Sequence, residues 1–491
     1  MPPRRVVNYY KGSLQGRFLS NSDCDKLDKI LALQEMNGSL PDLVNVITDL
    51  TPDQREELTR TGEISGDIDL GTLRDYQTIS VAYAYWDKRC LLGASVGLGK
   101  TVIIAGLVNL LAAAAEKEGR QFSFLFLGDK NTLKELHDSL TRFSGKRLYT
   151  VTGEAASSKK FFSVVSLHDR PNVVGNHALV SQNLFYEEVR KYREETGENP
   201  FDLIVIDEAS EVGKATGSFG QVTSQKYKNL QWLTSDAERV VSLNATPFEA
   251  NLMTFFHQLQ LLDPSFLPTK TAFNNRYAVM KYQGRGYAEP TGEYQNAEEF
   301  RRLIKYRYLP QTRKSLGATV TDSSAELLVA PLTAIQKSLA SKVSMPQMLW
   351  DCPWYFDSSL PRTEESTGKL AALEKALDEA LQTHETVLVY CHFKEAQLGV
   401  KEFLYDLGYT SEILNGDQDY DTKQLVISAF KEEKFQVLIT NVQKGLNFGH
   451  CKRLVFYSKS ANTNTMVQIE GGVARDIDNE GVKVWVIVAE G

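Results

Sequence analysis

Cysteines are few in this sequence, and they lie far apart. Five occur among 491 residues, and no two of them stand in a C-x-x-C arrangement. This spacing argues against a zinc ribbon and against a disulfide scaffold. We therefore expect a reducing, intracellular setting. Cysteines in or beside apolar segments should behave there as small buried hydrophobic residues. The five are Cys24, Cys90, Cys352, Cys391 and Cys451.

The chain also lacks a hydrophobic run of membrane-spanning length. Its most apolar stretch, Val102 to Ala115, is interrupted by Asn109 and is shorter than the roughly 20 residues that cross a bilayer. We predict a buried helix there and no association with a membrane. Near the N-terminus, Arg4 and Arg5 are followed by polar residues such as Asn8, where a signal peptide needs an apolar core. Secretion is therefore not expected.

Low-complexity tracts and repeats of solenoid period are absent from the sequence as well. With 42% apolar and 24% charged residues, the composition is that of a folded globular protein. At about 100 to 200 residues per domain, the length predicts two to four domains.

The formal net charge of −7 is unusual for a protein that binds nucleic acid, but its distribution is uneven. Between Ser265 and Lys314 there are ten basic and four acidic residues, a net charge of +6, which leaves −13 for the remainder. Two interpretations stay open. The stretch is either the solvated face of a helix or a surface that faces phosphates.

Short apolar runs alternate with helical patterns in two regions of the chain. Such alternation is typical of βαβ units around a buried parallel sheet. The predicted strands of the first region are Cys90–Leu92, Phe122–Leu127, Ala178–Ser181, Leu203–Ile206 and Val240–Leu243, and those of the second are Val387–Tyr390, Glu412–Leu414, Val437–Thr440, Arg453–Tyr457 and Lys483–Val488.

Four segments follow from these patterns. We predict a small, mainly helical domain over 1–70, an α/β domain over 71–263, a basic helical insertion or linker over 264–365, and a second α/β domain over 366–491. Within the first segment, Thr51 to Gln54 combines a hydroxyl N-cap, a proline at the first helical position and a Gln that can close a capping box.

The strongest local motif is the segment from Ala94 to Thr101, which follows an apolar run and precedes the predicted buried helix. It has the pattern of a Walker A loop, with Ala94 in place of the usual first glycine. Gly97 and Gly99 let the backbone wrap around phosphates, and Lys100 reaches the β and γ phosphates. Thr101 offers its hydroxyl to a magnesium ion.

A second motif, Phe201 to Ser210, is an apolar strand that ends in the paired carboxylates Asp207 and Glu208. This pattern is typical of a Walker B strand. We predict that Asp207, with Thr101, binds Mg²⁺ and that Glu208 accepts a proton from the attacking water. ATP and Mg²⁺ are therefore the expected cofactors.

From Leu73 to Val488 the order of motifs resembles helicase superfamily two, and especially its Swi/Snf-type double-stranded DNA translocases. The resemblance implies two tandem RecA-like domains with parallel sheets. Within Leu73 to Gln77, it gives Gln77 the role of reading the adenine edge. The segment from Leu243 to Pro247 resembles motif III, which couples nucleotide to DNA. The triplet Gly445 to Asn447, within motif V, resembles duplex translocases rather than strand-separating relatives.

The resemblance also implies residues that contact nucleic acid and residues that complete the catalytic site. Backbone contacts are expected from loops that resemble motifs Ia, Ib, Ic, IV and V. The implied nucleic-acid-binding residues are Thr152, Gly153, Ser181, Gln182, Thr440 and Lys394, and the implied additional catalytic residues are Gln468 and Arg475 of motif VI.

Motif VI departs from the family pattern at one position. The family has an arginine at position 472, where this chain has Gly472. By resemblance, Arg475 is the arginine finger that neutralises charge on the γ-phosphate. Three possibilities stay open: Arg475 suffices, a nearby Arg or Lys substitutes, or the chain hydrolyses ATP poorly.

The activity implied by the resemblance is that of an ATP-dependent DNA translocase or helicase. It would remodel duplex or branched DNA in replication, recombination or repair, with branch migration as one form. The chain shows no histone-reading segment after Val488, so a chromatin remodeller is not expected. We expect a monomer that binds DNA without regard to sequence. The alternatives are an RNA helicase and a nucleic-acid clamp with weak or no ATPase activity.

Overall fold

The structure, a computed structural model, divides by its contacts into two compact units, Met1–Gly317 (unit 1) and Ala318–Gly491 (unit 2). Each unit is described by itself. Most of the predicted helical domain over 1–70 lies outside the described residues, except for a helix, α1, at residues 26–32. The structure describes residues 26–32, 73–213, 224–245, 247, 252–263, 267, 269–283, 287–311, 325–341, 343–442, 448–458, 463–473 and 482–490.

A seven-stranded sheet with the order β3-β4-β2-β5-β6-β1-β9 forms the centre of unit 1. All of its strand pairs are parallel, as predicted. Because parallel strands run in one direction, their C-terminal ends meet along one side of the sheet, which we call the carboxyl edge. The strands are Arg89–Ala94 (β1), Phe124–Gly128 (β2), Tyr149–Val151 (β3), Val173–Asn176 (β4), Leu203–Ile206 (β5), Arg239–Leu243 (β6) and Tyr308–Gln311 (β9).

Helices cover both faces of this sheet, and one of them, Lys100–Lys117 (α3), is largely buried, which confirms the predicted buried helix. Asn109, which interrupts its apolar run, is 3% exposed, and its Nδ2 donates to the carbonyl of Phe143. The other helices of this sheet are Asp75–Asp87 (α2), Leu133–Ser144 (α4), Ala155–Phe162 (α5), Asn183–Thr196 (α6), Ala209–Val212 (α7), Gln225–Thr234 (α8) and Leu252–Leu262 (α9).

The strand predicted at Ala178–Ser181 is wrong. Residues Leu179–Ser181 form a single 3₁₀ turn, and the strand lies earlier in the chain, at β4. Leu179 and Val180 are buried because the turn packs into the core, so they gave a strand-like apolar signal. The true strand ends in Gly175 and Asn176, residue types that are depleted in strands and that weakened its own signal.

The segment predicted as a basic helical insertion contributes to both units. Its β9 pairs with β1 of the unit 1 sheet, and Gly93 permits this because a Cβ there would lie 2.5 Å from the ring of Tyr308. A helix–hairpin–helix region precedes β9 in the chain. Its elements are Lys270–Tyr277 (α10), the antiparallel strands Ala278–Gln283 (β7) and Tyr287–Tyr294 (β8), and Ala297–Ile304 (α11).

Unit 2 contains a six-stranded parallel sheet with the order β10-β15-β14-β11-β13-β12. Five of these strands confirm the prediction, and the sixth, Glu326–Ala330 (β10), pairs with β15 from within the predicted insertion. The other strands are Val387–Tyr390 (β11), Ser411–Leu414 (β12), Val437–Thr440 (β13), Arg453–Phe456 (β14) and Lys483–Ala489 (β15). The helices are Ala334–Ala340 (α12), Pro346–Asp351 (α13), Gly368–Leu381 (α14), Lys394–Asp406 (α15), Tyr420–Lys431 (α16) and Thr463–Val473 (α17).

The predictions about the cysteines and about membrane-spanning segments both concern described residues. Four of the cysteines lie among them, and all four are buried and free. No helix in the described ranges is both long enough and apolar enough to span a membrane.

Candidate functional site

The loop between β1 and α3 has the backbone shape that phosphate binding requires. Gly97 and Gly99 have φ values of 86° and 74°, in the left-handed region that side chains rarely adopt. Helix α3 begins directly after them, at Lys100, and has no acidic residue in its first turn. The positive end of its dipole therefore points at this loop, and the first turn of the helix itself carries no carboxylate, which suits an anion site.

Helix α2 places Gln77 against this loop. The side chain is 8% exposed, and its Nε2 donates to the carbonyl of Leu98 over 3.2 Å. The hydroxyl of Tyr76 donates to the same carbonyl, also over 3.2 Å. A Cβ on Gly99 would lie 2.6 Å from the Gln77 Nε2, so this position of the glutamine side chain requires a glycine at residue 99. Adenine recognition by Gln77 stays a prediction, but its position beside the phosphate loop suits that role.

The paired carboxylates follow β5 at the carboxyl edge, two strands away from the phosphate loop. The Nζ of Lys100 lies 3.7 Å from the Oε1 of Glu208, and both side chains are largely buried, at 16% and 17% exposed. The Oδ1 of Asp207 accepts a hydrogen bond from the backbone N–H of Glu208 over 3.0 Å. The structure thus brings together the lysine and the glutamate that the sequence placed 108 positions apart.

These residues fit a magnesium-bound nucleoside triphosphate. A left-handed glycine turn would cradle phosphates, Lys100 would supply a cation beside it, and Thr101 and Asp207 stay the predicted oxygen ligands of Mg²⁺. Among the described residues, no cluster of three His, Cys, Asp or Glu could hold a metal by itself.

The segment that resembles motif III follows β6, between the phosphate loop and the carboxylates. Asn244 is fully buried, and its Nδ2 donates to the Oε1 of Gln258 over 2.8 Å. The Nε2 of Gln258 donates in turn to the carbonyl of Pro247 over 2.8 Å. These bonds connect the end of β6 to helix α9. Thr246, between them, lies outside the described residues.

The four nucleic-acid-binding residues predicted in unit 1 lie in two loops that contact each other at the carboxyl edge. Gly153, after β3, accepts a short hydrogen bond on its carbonyl from the side-chain amide of Gln182. The backbone N–H of Thr152 donates to the hydroxyl of Ser157 over 2.9 Å. Ser181 is exposed. In the sheet order, these loops lie on the β3-β4-β2 side, and the nucleotide residues lie on the β5-β6-β1 side.

His177 joins these two sides, and the sequence analysis missed it. It follows β4, is 8% exposed, and its Nε2 lies 2.7 Å from the carbonyl oxygen of Asp207. Because a carbonyl only accepts, Nε2 carries the proton and donates. Burial lowers the pKa of His177 below its ordinary value, so the neutral ring is favoured. A single histidine after a weak strand gave no sequence signal of this bond.

The residues predicted in unit 2 are only partly described. Thr440, at the end of β13, is fully buried, and its hydroxyl donates to the carbonyl of Leu414 over 2.8 Å. Lys394, at the start of α15, is half exposed, and its Nζ lies 2.6 Å from the Oδ1 of Asp417. Arg475 and the side chain of Gln468 lie outside the described residues. DNA contacts and catalysis by these four residues therefore stay predictions.

Gly472, at the position where the family has an arginine, is described. It lies in the last turn of α17 and is buried. Its carbonyl accepts a hydrogen bond from the backbone N–H of Phe448 over 2.9 Å. Where the family has an arginine side chain, this chain thus has a buried glycine that makes a backbone hydrogen bond.

The basic stretch between Ser265 and Lys314 is not uniformly exposed or unpaired in its described part. Arg307 is 5% exposed and pairs with Asp87. Burial raises the pKa of Asp87 to about 7, and the Arg307 cation opposes that increase. Three more cations of the stretch are paired, Arg276 with Glu299, Arg302 with Glu298 and Lys305 with Asp28.

Two family models match the chain. Residues 50–249 match the model described as the res subunit of type III restriction enzymes, and residues 368–476 match the helicase conserved C-terminal domain. The first match contains the phosphate loop and the paired carboxylates. The second contains most of the unit 2 sheet and the segment that resembles motif VI.

Curated relatives align with most of this chain at low identity. Chromodomain-helicase-DNA-binding protein 1-like of Mus musculus is 21% identical over 450 residues, which are 84% of this chain and 47% of the relative. Chromatin-remodeling ATPase INO80 of Mus musculus is 23% identical over 402 residues, 77% of this chain and 24% of the relative. The chain thus spans less than half the length of these two relatives.

Two solved structures align with most of this chain. S. cerevisiae Dbp5 bound to RNA and ADP BeF3 matches with a TM-score of 0.52 and 12% identity, over 90% of this chain and 88% of that chain. The Sulfolobus solfataricus SWI2/SNF2 ATPase core in complex with dsDNA has a TM-score of 0.40 and 18% identity, over 85% and 88%.

Proposed function

We propose that this chain, which resembles Swi/Snf-type members of helicase superfamily two, is an ATP-hydrolysing motor that moves along double-stranded or branched DNA. One observation carries the proposal. Lys100 and Glu208 face each other over 3.7 Å at the same carboxyl edge that holds the Thr152–Gly153 and Ser181–Gln182 loops. A nucleotide and a nucleic-acid backbone could therefore both bind at the carboxyl edge of one sheet.

Each predicted site residue has its own part in the proposed ATP hydrolysis. Bound Mg²⁺-ATP supplies the phosphoanhydride bond whose cleavage drives the cycle. Lys100 would neutralise phosphate charge, and the side-chain oxygens of Thr101 and Asp207 would bind the Mg²⁺. Glu208 accepts the proton of the attacking water. By resemblance, Arg475 neutralises charge that develops on the γ-phosphate, and Gln468 assists it.

DNA binding in this proposal depends on the phosphate backbone and not on the bases. The loop residues are small or polar and include backbone groups, which suit contacts to phosphate oxygens. Such contacts carry no sequence information, so we propose that the protein tracks duplexes of any sequence. We extend the proposal to forks and junctions met in replication, recombination or repair, inside the cell.

The proposal is tested by phosphate release from ATP with single-stranded DNA, duplex DNA, a four-way junction and RNA. We expect the largest stimulation from duplex or junction DNA. Lys100→Ala should abolish the stimulated rate, because phosphate charge loses its partner. Lys117→Ala, at the other end of α3, should turn over like the wild type. Stimulation by RNA alone would favour the RNA helicase instead.

Gly472 supports a second candidate, a nucleic-acid clamp with weak or no ATPase activity. The position where the family has an arginine is buried in this chain and makes a backbone hydrogen bond. If this loss removes hydrolysis, the protein will bind DNA and ATP but release no phosphate. Phosphate release that depends on both DNA and Lys100 would dismiss the clamp.

A further inference from the structure

We propose that His177 is a positioning residue that couples the nucleic-acid loops of unit 1 to the hydrolytic carboxylates, by holding the backbone of Asp207. This inference rests on the proposed function. It assigns a role in that reaction to a residue that lies in neither the phosphate loop nor the carboxylate pair. Three sets of contacts support it.

The first set fixes Asp207 on both sides. Its backbone N–H donates to the carbonyl of Leu127 over 2.8 Å, and its own carbonyl accepts from the Nε2 of His177 over 2.7 Å. The next residue, Glu208, has a φ of 47°, a left-handed conformation that is unfavourable for a residue with a side chain. Such a conformation persists where its surroundings hold it. The Asp207 carbonyl belongs to the peptide that leads into Glu208, so His177 holds the turn that aims the proton acceptor.

The second set fixes His177 itself. Its backbone N–H donates to the carbonyl of Gly128, at the end of β2, over 3.1 Å. Strand β2 lies between β4 and β5 in the sheet, so the histidine reaches over one strand end to the next. At 8% exposure, the ring leaves little access for a water molecule that could replace its N–H donor.

The third set connects His177 to the DNA side. A Cβ on Gly153 would lie 2.5 Å from the Cβ of Ala178 and 2.7 Å from the Oδ1 of Asn176, the two neighbours of His177 in the chain. The same Oδ1 accepts a hydrogen bond from the N–H of Ala178 over 2.7 Å. The side chain of Gln182 holds the Gly153 carbonyl from the other loop. A nucleic acid that displaces Gly153 must therefore displace residues 176–178, and with them the donor to Asp207.

The alternative is that His177 only stabilises the fold, as a buried histidine with one satisfied hydrogen bond. The two roles differ in what they affect. A structural role would lower the melting temperature and reduce all activities together. A coupling role would reduce the DNA-stimulated turnover number and leave the affinities for ATP and DNA nearly unchanged.

The test compares His177→Gln, whose amide reaches about as far as Nε2, with His177→Asn, which is one methylene shorter, and His177→Leu, which has no donor. His168→Leu is the matched control, because His168 is an exposed histidine of the same unit. For each variant, the full-length protein is assayed for ATP turnover with and without duplex DNA, the KM for ATP, the Kd for DNA and the melting temperature.

We expect the Asn and Leu variants to lose about tenfold or more of the DNA-stimulated turnover number, a typical size for coupling between sites, with the KM for ATP and the Kd for DNA changed by less than about threefold. The Gln variant should recover most of the stimulation. Equal turnover in the Leu variant and the wild type would overturn the inference. So would a Gln variant as impaired as the Asn variant, a comparison that does not depend on the Leu variant folding. A wild type without DNA stimulation would instead remove the proposed function, and this inference with it.

Discussion

At the scale of single residues, Gly99 combines two constraints in the phosphate loop. Its φ of 74° is unfavourable for any side chain, and a Cβ there would lie 2.6 Å from the Nε2 of Gln77. We predict that Gly99→Ala weakens ATP binding by about tenfold or more, since a distortion of about 1.4 kcal/mol already gives that factor. Titration with a fluorescent ATP analogue measures it.

Gly119 provides the matched control for this substitution. Its φ is 72°, but nothing lies within 4 Å of its Cβ position. Gly119→Ala should therefore lose about 1 to 2 kcal/mol of stability through backbone strain alone and bind ATP normally. Equal ATP affinity in the two alanine variants would contradict the packing of Gln77 on the loop.

The residues of the nucleotide site were predictable because their motifs sit at the ends of strands. Lys100 and Glu208 each follow an apolar strand, and strand direction alone brings such positions to one edge. The role of His177 was not predictable, because it depends on which strand lies beside which. That order places β2 between β4 and β5, and no pattern in the sequence reports it.

At the scale of elements, β9 shows how the segment after the first α/β region supports the nucleotide site. The backbone N–H of Ser95, in the phosphate loop, donates to the carbonyl of Gln311 over 2.9 Å. The Nε2 of Gln311 donates to the carbonyl of Tyr76 over 2.9 Å. One strand end thus holds both the base of the loop and the helix that carries Gln77.

Arg307, directly before β9, fastens this strand to α2 through Asp87. Removing one partner of a buried ion pair leaves the other charge uncompensated, which costs about 3 to 5 kcal/mol. We predict a loss of that size in the free energy of unfolding of unit 1 for Arg307→Met, measured by denaturant unfolding.

The double variant Asp87→Leu, Arg307→Met tests the cause of that loss. It removes both charges, so its stability should be closer to that of the wild type than the stability of Arg307→Met alone. A double variant less stable than the single variant would show that the ion pair is not what fastens β9.

Elements that are apolar almost throughout were predicted well, and those with mixed signals were not. Helix α3 and strand β5 are apolar almost throughout, as buried parallel structure requires. Strands β9 and β10 were missed because their polar or exposed positions resemble a linker more than a strand. Both lie at sheet edges and pair on one side only.

At the scale of the whole molecule, a net charge of −7 on the DNA-binding motor that we propose implies that binding depends on local contacts. If a duplex is held by six or more phosphate contacts, its affinity should fall by roughly 10³-fold between about 50 and about 200 mM salt. Fluorescence anisotropy with several duplexes of unrelated sequence measures this. Affinities that do not change with salt concentration, or that differ strongly between DNA sequences, would contradict recognition of the phosphate backbone.

The phosphate loop and the paired carboxylates form the one site that, in our proposal, couples DNA binding to ATP hydrolysis. This coupling is tested by measuring ATP turnover by Glu208→Gln with saturating duplex DNA, together with ATP binding by the same variant. We predict normal ATP affinity with turnover reduced about 10² to 10⁴-fold, because only the proton acceptor is lost. Turnover equal to that of the wild type would contradict the account.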